Sequence, residues 1–150
     1  MTWDSVFSLA NSYALICWIA LAFLPRWPAL LAGVLYAGVG LLCLTYASGL
    51  IGVVSGTLDP VGGSGEWSFN SIAGVREIFA SDAGVTIGWI HYLAFDLFVG
   101  VWIARDADAK NFHRLIQIPV LFATLMAGPL GLLLWLLIRE RRARQQGRWE

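Results

Sequence analysis

Residues Gly84 to Ala104 read GVTIGWIHYLAFDLFVGVWIA, an apolar run that is interrupted by His91 and Asp96. A helix needs about 20 mostly apolar residues to cross the roughly 30 Å hydrocarbon core of a bilayer. The run has this length and composition, so it predicts a transmembrane helix. A carboxylate near the middle of such a helix costs about 3 kcal/mol on insertion scales, so Asp96 indicates a functional role or a polar partner.

Three further apolar runs flank this one. Together the four runs predict transmembrane helices at about residues 6–24, 29–50, 84–104 and 117–138. Pro129 predicts a kink in the last of them, because proline removes a helical hydrogen bond. The basic tail at 139–150 is expected to continue this helix and to rest against anionic lipid. The sequence therefore predicts one all-α polytopic membrane domain over residues 1–150.

The composition excludes several classes of protein. The chain is 58% hydrophobic and 13% charged, and its mean hydropathy is +0.68. Soluble domains carry about 25% charged residues. A disordered chain, a soluble enzyme and a nucleic-acid binder with a basic face are therefore excluded. The expected partner is the lipid bilayer, with no nucleic acid.

The loop between the second and third predicted helices covers residues 51–83. It begins with a Gly-rich stretch at 62–65, which we interpret as a flexible turn. Apolar residues then recur at helical spacing: Ile72, Val75, Ile78 and Phe79. This pattern predicts a short amphipathic helix at 69–80 that lies on the membrane surface or dips into it.

Four spans would place both termini on the same side of the membrane. That side, which also carries the long loop, would hold six Lys and Arg residues. The opposite side would hold four: Arg26, Arg105, Lys110 and Arg114. The positive-inside rule then favours both termini in the cytoplasm. The N-terminal residues Met1-Thr2-Trp3-Asp4 lack the basic region of a signal peptide, and we expect a bacterial inner-membrane location.

His91 and Asp96 point in different directions from their predicted helix. Five residues separate them, which corresponds to about 7.5 Å along the axis and about 140° around it. His91 shares its face with Phe95, Phe98 and Trp102. Asp96 shares its face with Tyr92, Val99 and Gly100. The two ionisable groups are therefore expected to have separate roles.

Polar residues of the first two helices are expected at the depth of His91. They are Asn11, Ser12, Thr45 and Tyr46. Such a layer fits two interpretations, which the sequence leaves open. One is interhelical hydrogen bonding, at about 1 kcal/mol per bond, and the other is a ligand site. No spacing of His, Cys, Asp and Glu matches a strong metal motif, so no metal is predicted.

Three segments resemble one known family. They are 89–106 (WIHYLAFDLFVGVWIARD), 124–134 (TLMAGPLGLLL) and 73–80 (AGVREIFA). Together with four spans in 150 residues, they resemble the abscisic-acid-deficient-four family of neoxanthin-synthase-type membrane proteins. The resemblance extends over about residues 3–138.

The resemblance implies a carotenoid as substrate or bound ligand. In plants the family is tied to the conversion of violaxanthin to neoxanthin, a redox-neutral isomerisation of a 5,6-epoxide to an allene with a tertiary alcohol. Such a reaction needs a proton donor at the epoxide oxygen and a base at the adjacent polyene carbon, and it requires no cofactor. Carried over to this chain, Asp96 and His91 are the expected acid–base residues, with Glu77 and Arg105 as secondary candidates.

Aromatic and polar side chains are expected to line the groove for the polyene. The residues implied are Asn11, Tyr46, Trp89, Tyr92, Phe95, Phe98 and Trp102. We therefore expect a carotenoid isomerase or modifying enzyme that acts on an epoxy-xanthophyll. The alternatives are a non-catalytic pigment-binding subunit of a larger membrane complex, or a small transporter. A homo-oligomer is also compatible with the sequence.

Overall fold

Helices form all the regular structure in the computed structural model, which describes residues 2–58 and 68–146. Three helical stretches are long and apolar enough to cross a membrane: Trp3–Phe23, Pro28–Val54 and Asp82–Ala109. The all-α class predicted from the sequence is confirmed. Three of the four predicted spans have a counterpart, and the fourth does not.

The helices follow one another with short connections, apart from the loop before the fourth. Their bounds are α1 Trp3–Phe23, α2 Pro28–Ala32, a π-helical segment Gly33–Val39, α3 Gly40–Val54, α4 Ile72–Ile78, α5 Asp82–Ala109, α6 Arg114–Met126 and α7 Gly128–Gln146. The hydroxyls of Thr2, Ser71 and Ser81 accept backbone N–H groups at the starts of α1, α4 and α5, which satisfies donors that a helix start leaves unpaired. The predicted short helix at 69–80 is present as α4.

Helix α5 lies at the centre of the bundle. Its Leu97 and Ile103 are fully buried, together with Leu21 of α1 and Trp135 of α7. A Cβ added at Gly100 of α5 would collide with the ring of Trp18, so a residue without a side chain is required where α1 crosses α5. The functional side chains of α5 are therefore held by neighbours on several sides.

The predicted fourth span is wrong. Helix α6 has 13 residues, about 20 Å in length, and it ends before the extended residue Ala127. Near that break the Tyr92 hydroxyl of α5 donates to the Leu125 carbonyl at 3.1 Å. Helix α7 then returns to the end of the bundle where α6 began, since its Trp135 and Arg139 donate to Asp106 at the end of α5.

Two of the residues that follow Met126 favour a turn at this point. Pro129 has no N–H to donate, so a continuous α6–α7 helix would lack a hydrogen bond at that position. Gly128 lies directly against the Asp96 carboxylate, where a Cβ would collide. The segment therefore folds as a hairpin of two helices that reaches the middle of α5 and returns.

The hairpin places the start of α1 and the end of α7 at opposite ends of the bundle, which contradicts the prediction, made from four spans, that both lie on one side. Trp3 packs against Val53, Ala83 and Ile87 at the end that carries α4. The basic tail continues α7 through Gln146 at the other end. Residues 147–150 of the predicted tail and the Gly-rich stretch at 62–65 lie outside the described residues.

Candidate functional site

A cavity of about 440 Å³ lies where the end of α3, the short helix α4 and the start of α5 meet. It is lined by Tyr46, Leu50, Val53, Val54, Phe69, Val75, Ile78, Phe79, Gly84, Ile87, Gly88 and His91. Among these described residues, only His91 and Tyr46 bring polar side-chain atoms. The lining therefore offers an apolar ligand a large contact surface with an imidazole and a phenol at one place.

Aromatic rings on two sides hold His91. Its imidazole stacks on Phe95, with ring centroids 4.6 Å apart and an interplanar angle of 26°. The Tyr46 ring of α3 lies 5.5 Å away at a tilt of 56°. A neutral imidazole carries one donor and one acceptor nitrogen, and it is the side chain that enzymes use most often for general acid–base catalysis. His91 is accordingly the group in the cavity best suited to move a proton.

The Phe79 ring closes the cavity from α4. Its edge lies so close to Gly88 of α5 that a Cβ at this glycine would collide with it. Phe79 is still 48% exposed, so its ring is not locked in the core. Phe79 was predicted to belong to the amphipathic helix but not to line a cavity, because nothing in the sequence pairs this segment with Gly88.

A line of side chains continues from the cavity along one side of α5. We call it the α5 stripe, and its members are His91, Phe95, Phe98, Trp102 and Arg105. Phe95 and Phe98 are 57% and 50% exposed. The stripe extends over about 21 Å from His91 to Arg105. A second recess of about 370 Å³ at its far end is lined in part by Phe98, Trp102 and Arg105.

Asn11, Trp89 and Tyr92 form a separate cluster between α1 and α5. Trp89 Nε1 donates to Asn11 Oδ1 at 2.9 Å, and the Trp89 ring stacks on Tyr92 with centroids 5.0 Å apart. The predicted polar layer around His91 is thus divided, because Asn11 bonds to Trp89 whereas Tyr46 lies beside His91. Interhelical hydrogen bonding explains the first group, and the cavity contains the second.

Asp96 lies at the tip of the α6–α7 hairpin rather than in the cavity. The side chain is buried at 8% exposure, and its carboxylate faces Tyr92 and the backbone of Gly128. One carboxylate oxygen, Oδ2, is buried and has no hydrogen-bond partner among residues 2–58 and 68–146. As the sequence predicts, Asp96 and His91 point away from each other. They do not form one acid–base pair.

The two secondary catalytic candidates lie at opposite ends of α5. Glu77 belongs to α4, the helix that covers the cavity, and its side chain is half-buried there. Arg105 is exposed at the far end of the α5 stripe. Of the four predicted catalytic residues, only His91 is among the residues that line the cavity. Glu77, Asp96 and Arg105 lie apart from it and from one another.

A cluster of buried charges occupies the other end of α5. Asp106 accepts from Arg139 at 2.6 and 2.8 Å and from Trp135 Nε1 at 2.9 Å, and the Lys110 ammonium lies 3.3 Å from it. Helical spacing places Lys110 beside Asp106, whereas Trp135 and Arg139 lie 29 and 33 residues further along the chain. No local pattern in the sequence predicts those two partners.

A second ion pair ties the α1–α2 turn to the same end. Arg26 lies 3.1 Å from Asp108 and donates to Gln117 of α6. Burial lowers the pKa of the Arg26 guanidinium, although the Asp108 carboxylate acts in the opposite direction. Residues 2–58 and 68–146 contain no cluster of three or more His, Cys, Asp and Glu side chains that could hold a metal ion.

The chain matches one family model. The ABA4-like model, described as ABA DEFICIENT 4-like, matches residues 5–135. That range includes nearly all of α1, the whole of α2 to α6 and the first part of α7, as far as Trp135. No curated protein and no solved structure matches the chain.

Proposed function

Because the chain belongs to the ABA4-like family and is a carotenoid-related membrane protein, we propose that it binds a carotenoid and isomerises one of its end rings in the His91 cavity. The observation that carries the proposal is the position of an imidazole beside a phenol in a cavity whose other lining side chains are apolar, with His91 also forming the start of the α5 stripe.

The size and lining of the cavity support an end ring as its occupant. Small-molecule sites commonly enclose about 300–1,000 Å³ and are mostly apolar, with a few polar groups that fix orientation. The cavity of about 440 Å³ fits this description, with His91 and Tyr46 as the orienting groups. The exposed rings of Phe95 and Phe98 then offer the polyene chain a flat apolar track toward Arg105.

The chemistry requires only proton movements. The epoxide C–O bond opens, its oxygen gains a proton, and the adjacent polyene carbon loses one, so no oxidant or reductant is consumed. In our proposal His91 takes the proton from carbon and the Tyr46 hydroxyl donates to the oxygen. Positioned acid–base groups contribute about 10²- to 10⁴-fold to such reactions. Asp96 instead lies at the hairpin tip, against Gly128 and outside the cavity lining.

A second candidate is a pigment-binding subunit without catalysis. The exposure of the α5 stripe favours it, because a polyene held there has an open side that another membrane protein can cover. Both functions need the cavity and the stripe. Only the enzyme needs His91 as a proton-transfer group.

The test is expression in a host that makes epoxy-xanthophylls, followed by gentle detergent purification and chromatography of total and co-purified pigments. We expect a new isomer in cells with the wild-type chain. The His91→Phe variant should retain bound pigment and lose the new isomer. His113→Asn is the matched control. His113 caps the start of α6, which lies at the opposite end of α5 from the cavity. This variant should behave like the wild type.

The outcomes separate the two functions. Bound but unaltered pigment in the wild type would support the subunit and contradict the enzyme. Equal product formation by His91→Phe would remove His91 from the chemistry. A wild-type protein that neither retains nor converts pigment would overturn both functions.

A further inference from the structure

The two ends of the bundle differ sharply in charge. We call the end formed by residues 24–27, 105–114 and 139–146 the basic end. We call the end formed by the start of α1 and residues 55–58 and 68–82 the loop end. Among the described residues, the basic end carries eight Lys and Arg side chains: Arg26, Arg105, Lys110, Arg114, Arg139, Arg141, Arg142 and Arg144. The loop end carries one, Arg76.

The α6–α7 hairpin creates this asymmetry. A fourth span would have carried the basic tail to the loop end. Instead, Arg139 bonds to Asp106, and Arg142 Nη1 donates to the carbonyls of Lys110 and Asn111 at 2.8 and 2.6 Å. The guanidinium of Arg142 also lies 4.1 Å from the ring centre of Phe112. These contacts fix the tail beside the α5–α6 turn.

The basic end keeps a large positive charge after its internal ion pairs are counted. Its acidic residues are Asp106, Asp108 and Glu140. Eight basic and three acidic side chains leave a formal charge of +5. Arg105 and Arg141 are exposed, and the Arg144 side chain is 70% exposed. The surface therefore presents guanidinium groups at the end of the bundle where the candidate spans Trp3–Phe23 and Asp82–Ala109 finish.

We infer that the basic end lies in the cytoplasmic leaflet against anionic lipid headgroups, so that the His91 cavity opens toward the opposite leaflet. Lys and Arg near the ends of spans collect on the cytoplasmic side, where anionic lipid attracts them. The His91 cavity is near the loop end, since its lining includes Val54 at the end of α3 and Gly84 at the start of α5. The inference holds for any ligand of the cavity, so it does not depend on the proposed function.

The orientation is tested by labelling single cysteines with a membrane-impermeant maleimide in intact bacterial spheroplasts. Cys17 and Cys43 are first replaced by alanine. One new cysteine is then introduced at an exposed position, either Asn70→Cys at the loop end or Gln145→Cys at the basic end. We expect Asn70→Cys to react in intact spheroplasts and Gln145→Cys to react only after lysis. Reaction of both from the same side would restore a fourth span and overturn the inference. The reverse pattern would overturn the orientation.

A fusion to the otherwise unmodified chain keeps the orientation testable if the cysteine variants fail to accumulate. Green fluorescent protein folds in the bacterial cytoplasm and stays dark when exported through the general secretory route. Fused after residue 150, it should be fluorescent. A second fusion carries alkaline phosphatase at the same position. A dark green-fluorescent-protein fusion together with a fully active alkaline-phosphatase fusion would contradict a cytoplasmic tail.

The lipid partner is tested with purified protein in neutral detergent. Addition of phosphatidylglycerol should raise the midpoint of thermal unfolding by several degrees, and phosphatidylcholine should not. The double variant Arg141→Gln/Arg144→Gln should lose at least half of that rise. Arg76→Gln, a matched charge removal at the loop end, should keep it. Equal responses to the two lipids, or equal loss in both variants, would overturn the anionic-lipid contact.

Discussion

At the basic end of α5, Asp106 is enclosed by Arg139, Lys110 and Trp135, whereas at the loop end His91 faces a cavity with apolar walls. Buried charges are tolerated when they are paired and hydrogen-bonded. The basic end meets this condition with its own side chains. The loop end leaves an imidazole and a phenol beside apolar space, an arrangement typical of a ligand site. The basic end is therefore fixed by its own ion pairs, and the loop end holds the cavity that we propose as the binding site.

Removal of Asp106 should destabilise the basic end and give the largest loss in the free energy of unfolding. The Asp106→Ala variant leaves Arg139 and Lys110 buried without their carboxylate, a change that costs about 3–5 kcal/mol in other proteins. We expect a loss of that size in the free energy of unfolding, measured in mixed detergent micelles. A loss below about 1 kcal/mol would show that water reaches these cations and that the end is not closed.

The hairpin tip lies between the two ends of the bundle. Replacement of its Gly128 is expected to lower the free energy of unfolding. In Gly128→Ala the new methyl group meets the Asp96 carboxylate, and overpacking of this kind costs about 1–3 kcal/mol. Gly33→Ala is the control, because a Cβ at Gly33 meets nothing within 4 Å. The double variant Gly128→Ala/Asp96→Gly should recover part of the loss if the collision is its cause.

Truncation of Phe79 should weaken ligand binding at the loop end and leave the stability of the basic end unchanged. The ring is about half exposed and closes the cavity, so its loss should cost about 1 kcal/mol of ligand binding, roughly a fivefold fall in retained pigment. Phe23→Ala is the control, since Phe23 is 68% exposed at the end of α1. Equal pigment loss in both variants would place the ligand elsewhere.

An exposed ion pair on the tail should have the smallest effect. Arg144 bonds to Glu140 at 2.8 Å, and its side chain is 70% exposed. Exposed pairs contribute about 0–1 kcal/mol, so Arg144→Gln should change the free energy of unfolding by about 0.5 kcal/mol or less in neutral detergent without anionic lipid. A loss as large as that of Asp106→Ala would mean that the whole tail, rather than the Asp106 cluster, stabilises the basic end.

The candidate site was predictable where it depends on one helix. His91 shares a face with Phe95 in the sequence, and the two rings stack. Tyr46 was also named, because depth along antiparallel helices places it near His91. Phe79 was missed as a lining residue, since its contact with Gly88 depends on how α4 folds over α5. Asp96 stays an untested catalytic candidate, and its contact with Gly128 could not be predicted, since it depends on a hairpin where the sequence predicts a span.

The sequence by itself determined the first three apolar helices and the short helix α4, because helical periodicity and apolar length are local properties. It also determined that His91 and Asp96 point in different directions, since helical geometry alone sets that angle. Only the tertiary structure decided that the last apolar run turns back at Ala127. An apolar run has the same composition whether it crosses a membrane or folds into a hairpin. The choice depends on contacts such as Arg139 with Asp106, which are 33 residues apart in the chain.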